Sequence, residues 1–167
     1  GRYFKTLGPG LNIRLPFLDL VTKVNLDACI PGWQGFTEAE LAQWGESFGK
    51  SLPFPSWVTL TGELGAGKTT LVRAIARAQG LLEPVTSPTY SLVREYYSPR
   101  GRVFHLDLYR LEDPEQLHQL GWEDIRRAKG LVLVEWPELA ASALPPEPIA
   151  LTLEHLPGRP DMRRLTW

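Results

Sequence analysis

The sequence predicts an α/β fold in which a mostly parallel central sheet is flanked by helices. Three observations point there. Apolar, strand-like runs (WVTLT at 57–61, RVFHLDLY at 102–109, LVLVEW at 131–136) alternate with helix-like runs that begin at Phe36 and Lys68, and that alternation folds as parallel strands with helices packed over them. LVLV lacks any polar alternation, as expected of a strand covered on both faces. The candidate chemical groups also fall at the carboxyl ends of these strands, where open α/β sheets hold their ligands.

The chain has 167 residues, 43% of them hydrophobic, enough for one compact domain with a substantial core and too few for a second full domain. A formal net charge of -1 gives no reason to expect a nucleic-acid or membrane surface, so any contact with RNA has to draw on a partner's charge. The single cysteine, Cys29, precludes an internal disulfide and supplies no thiolate metal cluster. No apolar run is long enough to span a bilayer and the N-terminus lacks a signal-peptide pattern. The expected location is the cytoplasm.

Residues 1–28, GRYFKTLGPGLNIRLPFLDLVTKVNLDA, differ in character from the rest. The Gly8 to Gly10 turn, LNIRLPF and LVTKVNL read as short strands around a proline-constrained corner. The stretch resembles the opening of a band 7 (SPFH) domain. We therefore divide the chain into an N-terminal extension, residues 1–30, expected to have no functional role, and a main domain, residues 31–167.

The main domain is expected to begin with a helix at FTEAEL. Thr37 and Glu40 have capping-box spacing, and Phe36 and Leu41 occupy the staple positions. Leu41, Trp44 and Phe48 continue at helical spacing, and Gly49 is expected to end the helix. WVTLT is a buried strand; the helix that follows runs from Lys68 to about Gln79 and stops at Gly80. VTSPTYSLVREYY combines a proline loop with a β-rich run. In RVFHLDLY, alternation places Val103, His105, Asp107 and Tyr109 on one face, turned away from the more apolar face of Phe104, Leu106 and Leu108. A short helix is expected after Pro114, then the strand LVLVE, and finally two strands around a Gly158-Arg159 turn.

Between the first strand and its helix lies GELGAGKTT, residues 62–70. Gly62, Leu64, Gly65, Ala66, Gly67, Lys68 and Thr69 fit the P-loop (Walker A) spacing G-x-x-x-x-G-K-[ST], which defines a P-loop NTPase-like architecture. Glycines let the backbone turn its N–H groups around an anion, and the helix N-terminus adds its positive dipole end. Lys68 can reach nucleotide phosphates, the Thr69 hydroxyl can bind Mg²⁺, and Thr70 is a further phosphate or packing contact. A magnesium–phosphate site takes one or two protein carboxylates. Two stand at strand ends, Asp107 and Glu135, and the residues alone leave open a surface or Arg110-paired aspartate and a solvated glutamate. His105, His118 and His155 have no metal-ligand spacing and read as packing or surface residues.

With GELGAGKTT, VTSPTYSLVREY, VFHLDLYRLEDPEQL and LVLVEWPE in order, residues 36–167 resemble the TsaE family (once called YjeE), small P-loop ATPases of bacterial tRNA threonylcarbamoyladenosine synthesis. SPTY, HLDLYR and EWP are the discriminating parts, since many families share the phosphate loop. The resemblance implies that Leu64 to Thr69 hold ATP phosphates, that Thr69 and Glu135 bind Mg²⁺, and that Lys68, Asp107 and Glu135 form the catalytic set. Ser87, Pro88, Thr89 and Tyr90 correspond to a mobile, switch-like segment near the γ-phosphate. Thr37 and Glu38 fall near the nucleotide base, Trp136 beside the metal ligand, and Arg159 at a late arginine that approaches the nucleotide. It further implies partners of the TsaB and TsaD type, tRNA contact only through that complex, no membrane, and hydrolysis that is weak alone and stimulated by partners. Two other readings are a small-molecule P-loop kinase, for which Arg126-Arg127 is the sole candidate arginine pair, and a nucleotide-gated binding module with negligible hydrolysis. No N-K-x-D sequence supports a GTPase.

Overall fold

The structure, a computed structural model, describes residues 33–81 and 83–167, with the backbone alone for Trp33 and Gln34. The expectations for residues 1–28 and for Cys29 lie outside the described residues. Among the described residues, seven strands form one sheet: β1 (Trp33–Thr37), β2 (Ser56–Gly62), β3 (Val93–Ser98), β4 (Gly101–Asp107), β5 (Leu131–Glu135), β6 (Ile149–Leu156) and β7 (Arg159–Thr166). Helices are α1 (Glu38–Ser51), α2 (Lys68–Arg77), α3 (Gln116–Gln119) and α4 (Trp122–Arg127), with a 3₁₀ turn at Pro137–Ala140.

Strand order is β1-β7-β6-β2-β5-β4-β3. The centre, β6-β2-β5-β4, is parallel; β7 on β6, β1 on β7 and β3 on β4 are antiparallel. The expected α/β fold with a parallel central sheet is the one observed, extended by antiparallel strands at both edges.

The two faces carry separate cores. Val58, Leu60, Val103, Leu131, Leu133, Leu151 and Leu153 face α1 and α2 with Leu41, Phe48, Leu71 and Ile75. Phe104, Leu106, Val132 and Val134 face α3 and α4 with Leu117, Trp122 and Ile125. Every residue of β5 is buried, as its unbroken apolar run requires. The alternation expected for β4 holds, yet the face bearing His105 and Asp107 is covered as well: Val103, His105 and Asp107 are all buried.

Helix α1 starts where its sequence dictates. Thr37 is the N-cap; the Glu40 N–H donates to Thr37 Oγ1 at 3.3 Å and the Thr37 N–H donates to Glu40 Oε2 at 2.8 Å, the reciprocal capping box. Its end differs from expectation. The helix runs through Gly49 to Ser51, because Gly45 and Gly49 are contact positions rather than stops. A Cβ on Gly45 would sit 2.7 Å from Leu71 Cδ1, and one on Gly49 2.7 Å from the Ile75 carbonyl oxygen. One turn apart, these glycines let α1 lie directly on α2.

Two further differences concern extent. WQGFT, ahead of α1, forms a strand not expected from the sequence, β1, paired with β7 from Trp33↔Thr166 to Thr37↔Met162. The short helix expected after Pro114 is α3, and a second, α4, follows once Gly121 turns the chain with φ 71°.

Candidate functional site

The parallel register brings the strand ends together. Glu135 pairs with Leu60 on β2 and with Asp107 on β4. Parallel partners point to the same side of the sheet, here the side covered by α2. Glu135 and Asp107 are therefore neighbours beneath the N-terminus of the helix that carries Lys68 and Thr69. They are 2% and 4% exposed, which excludes both the solvated strand end and the surface aspartate.

The loop between β2 and α2 is shaped by backbone. Gly62 has φ 147° and a Cβ there would meet the Leu153 carbonyl oxygen at 2.2 Å, so no larger residue fits between the loop and β6. Gly67, with φ 100°, caps α2 without a side chain, and no acidic residue lies in the helix's first turn. The first N–H groups of α2 thus remain available for an anion. The same loop touches α1, since a Cβ on Gly67 would lie 3.2 Å from Leu41 Cδ2. That contact brings the α1 start, with Thr37 and exposed Glu38, close to the phosphate loop.

Lys68 is 4% exposed. Its Nζ donates to the Gly62 carbonyl at 2.6 Å and the Glu63 carbonyl at 2.8 Å, and lies 3.8 Å from the centroid of the Trp136 ring, a cation–π distance. Burial lowers its pKa below the ordinary lysine value, opposed by the negative charge of Glu135, Asp107 and Glu138. Trp136 holds φ 57°, a conformation costly for a bulky side chain, and its ring packs on Tyr109 at 4.9 Å between centroids.

Thr69 Oγ1 donates to the Glu135 carboxylate, 3.0 Å from Oε1 and 2.9 Å from Oε2. His105 Nε2 lies 2.8 Å from Glu135 Oε1. Asp107 forms the second cluster: Oδ2 accepts from Thr89 Oγ1 at 2.9 Å and Ser87 Oγ at 3.2 Å, and Oδ1 accepts from the Tyr109 N–H at 3.2 Å. Ser87 and Thr89 also share a 2.7 Å hydroxyl contact. Pro88 is buried between them, its carbonyl accepting from the Leu92 N–H at 2.6 Å, while Tyr90 is 88% exposed beneath the Arg110 guanidinium.

Lys68, Thr69, Ser87, Thr89, Asp107, Glu135 and Trp136 are thus assembled in one place. Arg159 is not joined to them: it stands exposed at the β6–β7 hairpin, 3.5 Å from Asp161. Thr70, partly buried, follows Thr69 in the first turn of α2. Three further participants lie outside the site residues the motifs point to. His105 is a packing residue, as expected, but packs through a hydrogen bond to Glu135; its position two residues before Asp107 on the same face was the available signal. Tyr109 follows Asp107 by the same period, and Glu138 acts on Lys68 through charge alone, which has no sequence signature. His118 and His155 are exposed, as a surface reading requires.

Fold and site together define an α/β protein of the P-loop NTPase-like class. The family model for threonylcarbamoyl adenosine biosynthesis protein TsaE matches residues 36–164, and the chain belongs to that family. Among its relatives are proteins named tRNA threonylcarbamoyladenosine biosynthesis protein TsaE. The one from Nostoc sp. is 43% identical over 97 residues (56% of this chain, 60% of the relative), and the one from Treponema pallidum is 36% identical over 117 residues (70% and 86%). The chain spans about three fifths of the length of the first curated relatives it matches. A crystal structure of Bacillus subtilis YdiB superposes with a TM-score of 0.62 at 25% identity, covering 83% of this chain and 86% of that one.

Proposed function

We propose that this chain is the Mg²⁺-dependent ATP-hydrolysing subunit of tRNA threonylcarbamoyladenosine biosynthesis, acting in the cytoplasm on a complex of TsaB- and TsaD-type proteins, whose ATP hydrolysis resets that complex between turnovers. The observation that carries the reading is the meeting of Lys68, the Thr69–Glu135 pair and Asp107 under one helix N-terminus. Family membership and the names of the relatives support the pathway. The near-neutral charge agrees with tRNA being held by the partners. Among the described residues no helix is long and apolar enough to cross a membrane.

The residues fit a magnesium ion bound together with phosphate. Thr69 and Glu135 offer hard oxygen donors on two separate elements, within 3.0 Å of each other. An ion of this kind takes most of its oxygens from phosphate and water and needs only one or two protein carboxylates. Thr69 and Glu135 would hold it, and when bound it would offset the charge developing on the phosphate oxygens.

The chain's own residues supply the rest. The N–H groups of the loop and first turn of α2 bind phosphate oxygens, and Lys68 exchanges the Gly62 and Glu63 carbonyls for them. Trp136 shields Lys68 from water, which strengthens the attraction between the ammonium and a bound phosphate. Asp107 orients the attacking water once its Oδ2 gives up the Ser87 and Thr89 hydroxyls, which links hydrolysis to the position of residues 87–90.

Hydrolysis of γ-labelled ATP, followed by thin-layer chromatography with and without the TsaB–TsaD pair, tests the reading. Inorganic phosphate as the labelled product, released faster with the pair, is the expected result. Any other labelled product would favour a kinase, and an unstimulated rate would rule out the reset role.

A further inference from the structure

His105 takes no step in the proposed hydrolysis, yet it is the most deeply enclosed polar residue of the site, 0% exposed. Its Nε2 lies 2.8 Å from Glu135 Oε1, while its Nδ1 is buried without a hydrogen-bond partner. These facts constrain the ring. A carboxylate oxygen only accepts, so the 2.8 Å contact requires the proton on Nε2. A proton on Nδ1 would leave a buried donor without a partner and set two lone pairs against each other at the Glu135 contact.

The geometry also says what the contact does. Both Glu135 oxygens meet Thr69 Oγ1 on one side, and His105 holds Oε1 from within the core. The backbone fixes the histidine, because His105 pairs with Leu133, two residues before Glu135 on the adjacent parallel strand. A strand residue and a helix residue thus both hold one carboxylate. A glutamate has three rotatable bonds and would otherwise sample several orientations.

We propose that His105 is a positioning residue that holds the Glu135 carboxylate, through an Nε2–H donor, in the orientation needed to share a divalent cation with Thr69. The inference rests on the functional reading above. It follows the general behaviour of metal-binding carboxylates, whose supporting hydrogen bonds typically account for about 10–100-fold in metal affinity.

Mg²⁺ titrations of the nucleotide-loaded protein, with a fluorescent ATP analogue, test it through binding rather than turnover. His105→Phe keeps a ring and removes the donor; it should weaken Mg²⁺ binding about tenfold or more while affinity for the analogue in chelator changes little. His105→Gln restores an N–H and should recover most of the loss. Equal Mg²⁺ affinity in wild type and His105→Phe would overturn the proposal alone, whereas a wild type indifferent to Mg²⁺ would overturn the functional reading and the proposal with it. Should His105→Phe not fold, ring ¹⁵N resonances of the wild-type histidine decide. A proton on Nε2 and none on Nδ1 supports the proposal, and the reverse tautomer overturns it.

Discussion

Thr69 and Glu135, 66 residues apart in sequence, are joined by a threonine hydroxyl that reaches both oxygens of the carboxylate, at 3.0 and 2.9 Å. One comes from the first turn of α2 and the other from the last position of β5. Their pairing is therefore a product of the tertiary fold. Because the Glu135 charge also acts on Lys68, removing the carboxylate would separate the metal-dependent from the lysine-dependent part of the proposed phosphate binding.

Glu135→Ala should retain nucleotide binding in chelator and lose the tightening that Mg²⁺ brings. The loss should be at least the ~10-fold that removal of a mere supporting partner costs. Isothermal titration with and without Mg²⁺ measures it, and an undiminished Mg²⁺ effect would remove Glu135 from the metal site.

The Ser87–Thr89–Asp107 contacts predict a change in mobility. Thr89→Val keeps the shape of the side chain and deletes a hydrogen bond to a carboxylate worth about 1.5–3 kcal/mol. Amide exchange over residues 86–90 should speed up roughly tenfold or more by local opening, while the core of β5 stays protected. Unchanged exchange in that segment would mean that Asp107 does not hold it.

Gly49 predicts a packing defect. Its added Cβ would press on Ile75 backbone, at 2.7 Å from the oxygen and 3.0 Å from Cα, and backbone in a helix yields little. Gly49→Ala should cost about 1–3 kcal/mol despite alanine's better helix propensity. A urea midpoint lowered at constant m-value is the expected signature; a raised midpoint would show that the contact with α2 yields and that helix propensity decides.

Lys68 predicts an alkaline limit to phosphate binding. Burial lowers its pKa, so with rising pH the protein free of nucleotide loses this charge earlier than an exposed lysine would. Affinity for nucleotide should fall through that range, and Lys68→Met should be weak throughout and show no such fall. The stability effect has the opposite sign: between the lowered pKa and the ordinary value the unfolded chain binds more protons, so this group's contribution to stability rises with pH. Equal alkaline profiles for wild type and Lys68→Met would refute the assignment.

Legibility in the sequence followed the range of the forces involved. The α1 start was readable because Thr37 and Glu40 satisfy each other within one turn, and β5 because its composition states its burial. Gly49 was misread because a helix stop and a close contact use the same residue, and only the α2 surface distinguishes them. Strand β1 escaped notice because WQGFT becomes a strand through β7, more than a hundred residues away. In the site, Lys68, Thr69 and Glu135 could be named from motif and strand position. The grip of Ser87 and Thr89 on Asp107 could not, since it depends on how β3 returns along β4.

Multiple-turnover threonylcarbamoylation of tRNA with TsaB- and TsaD-type partners, comparing wild type with Asp107→Ala, bears most directly on the central claim that hydrolysis is what this chain contributes. Wild type should sustain repeated turnover, while Asp107→Ala, still binding ATP, should support no more than the first round. Full repeated turnover by an Asp107→Ala protein that binds ATP and does not hydrolyse it would contradict the account.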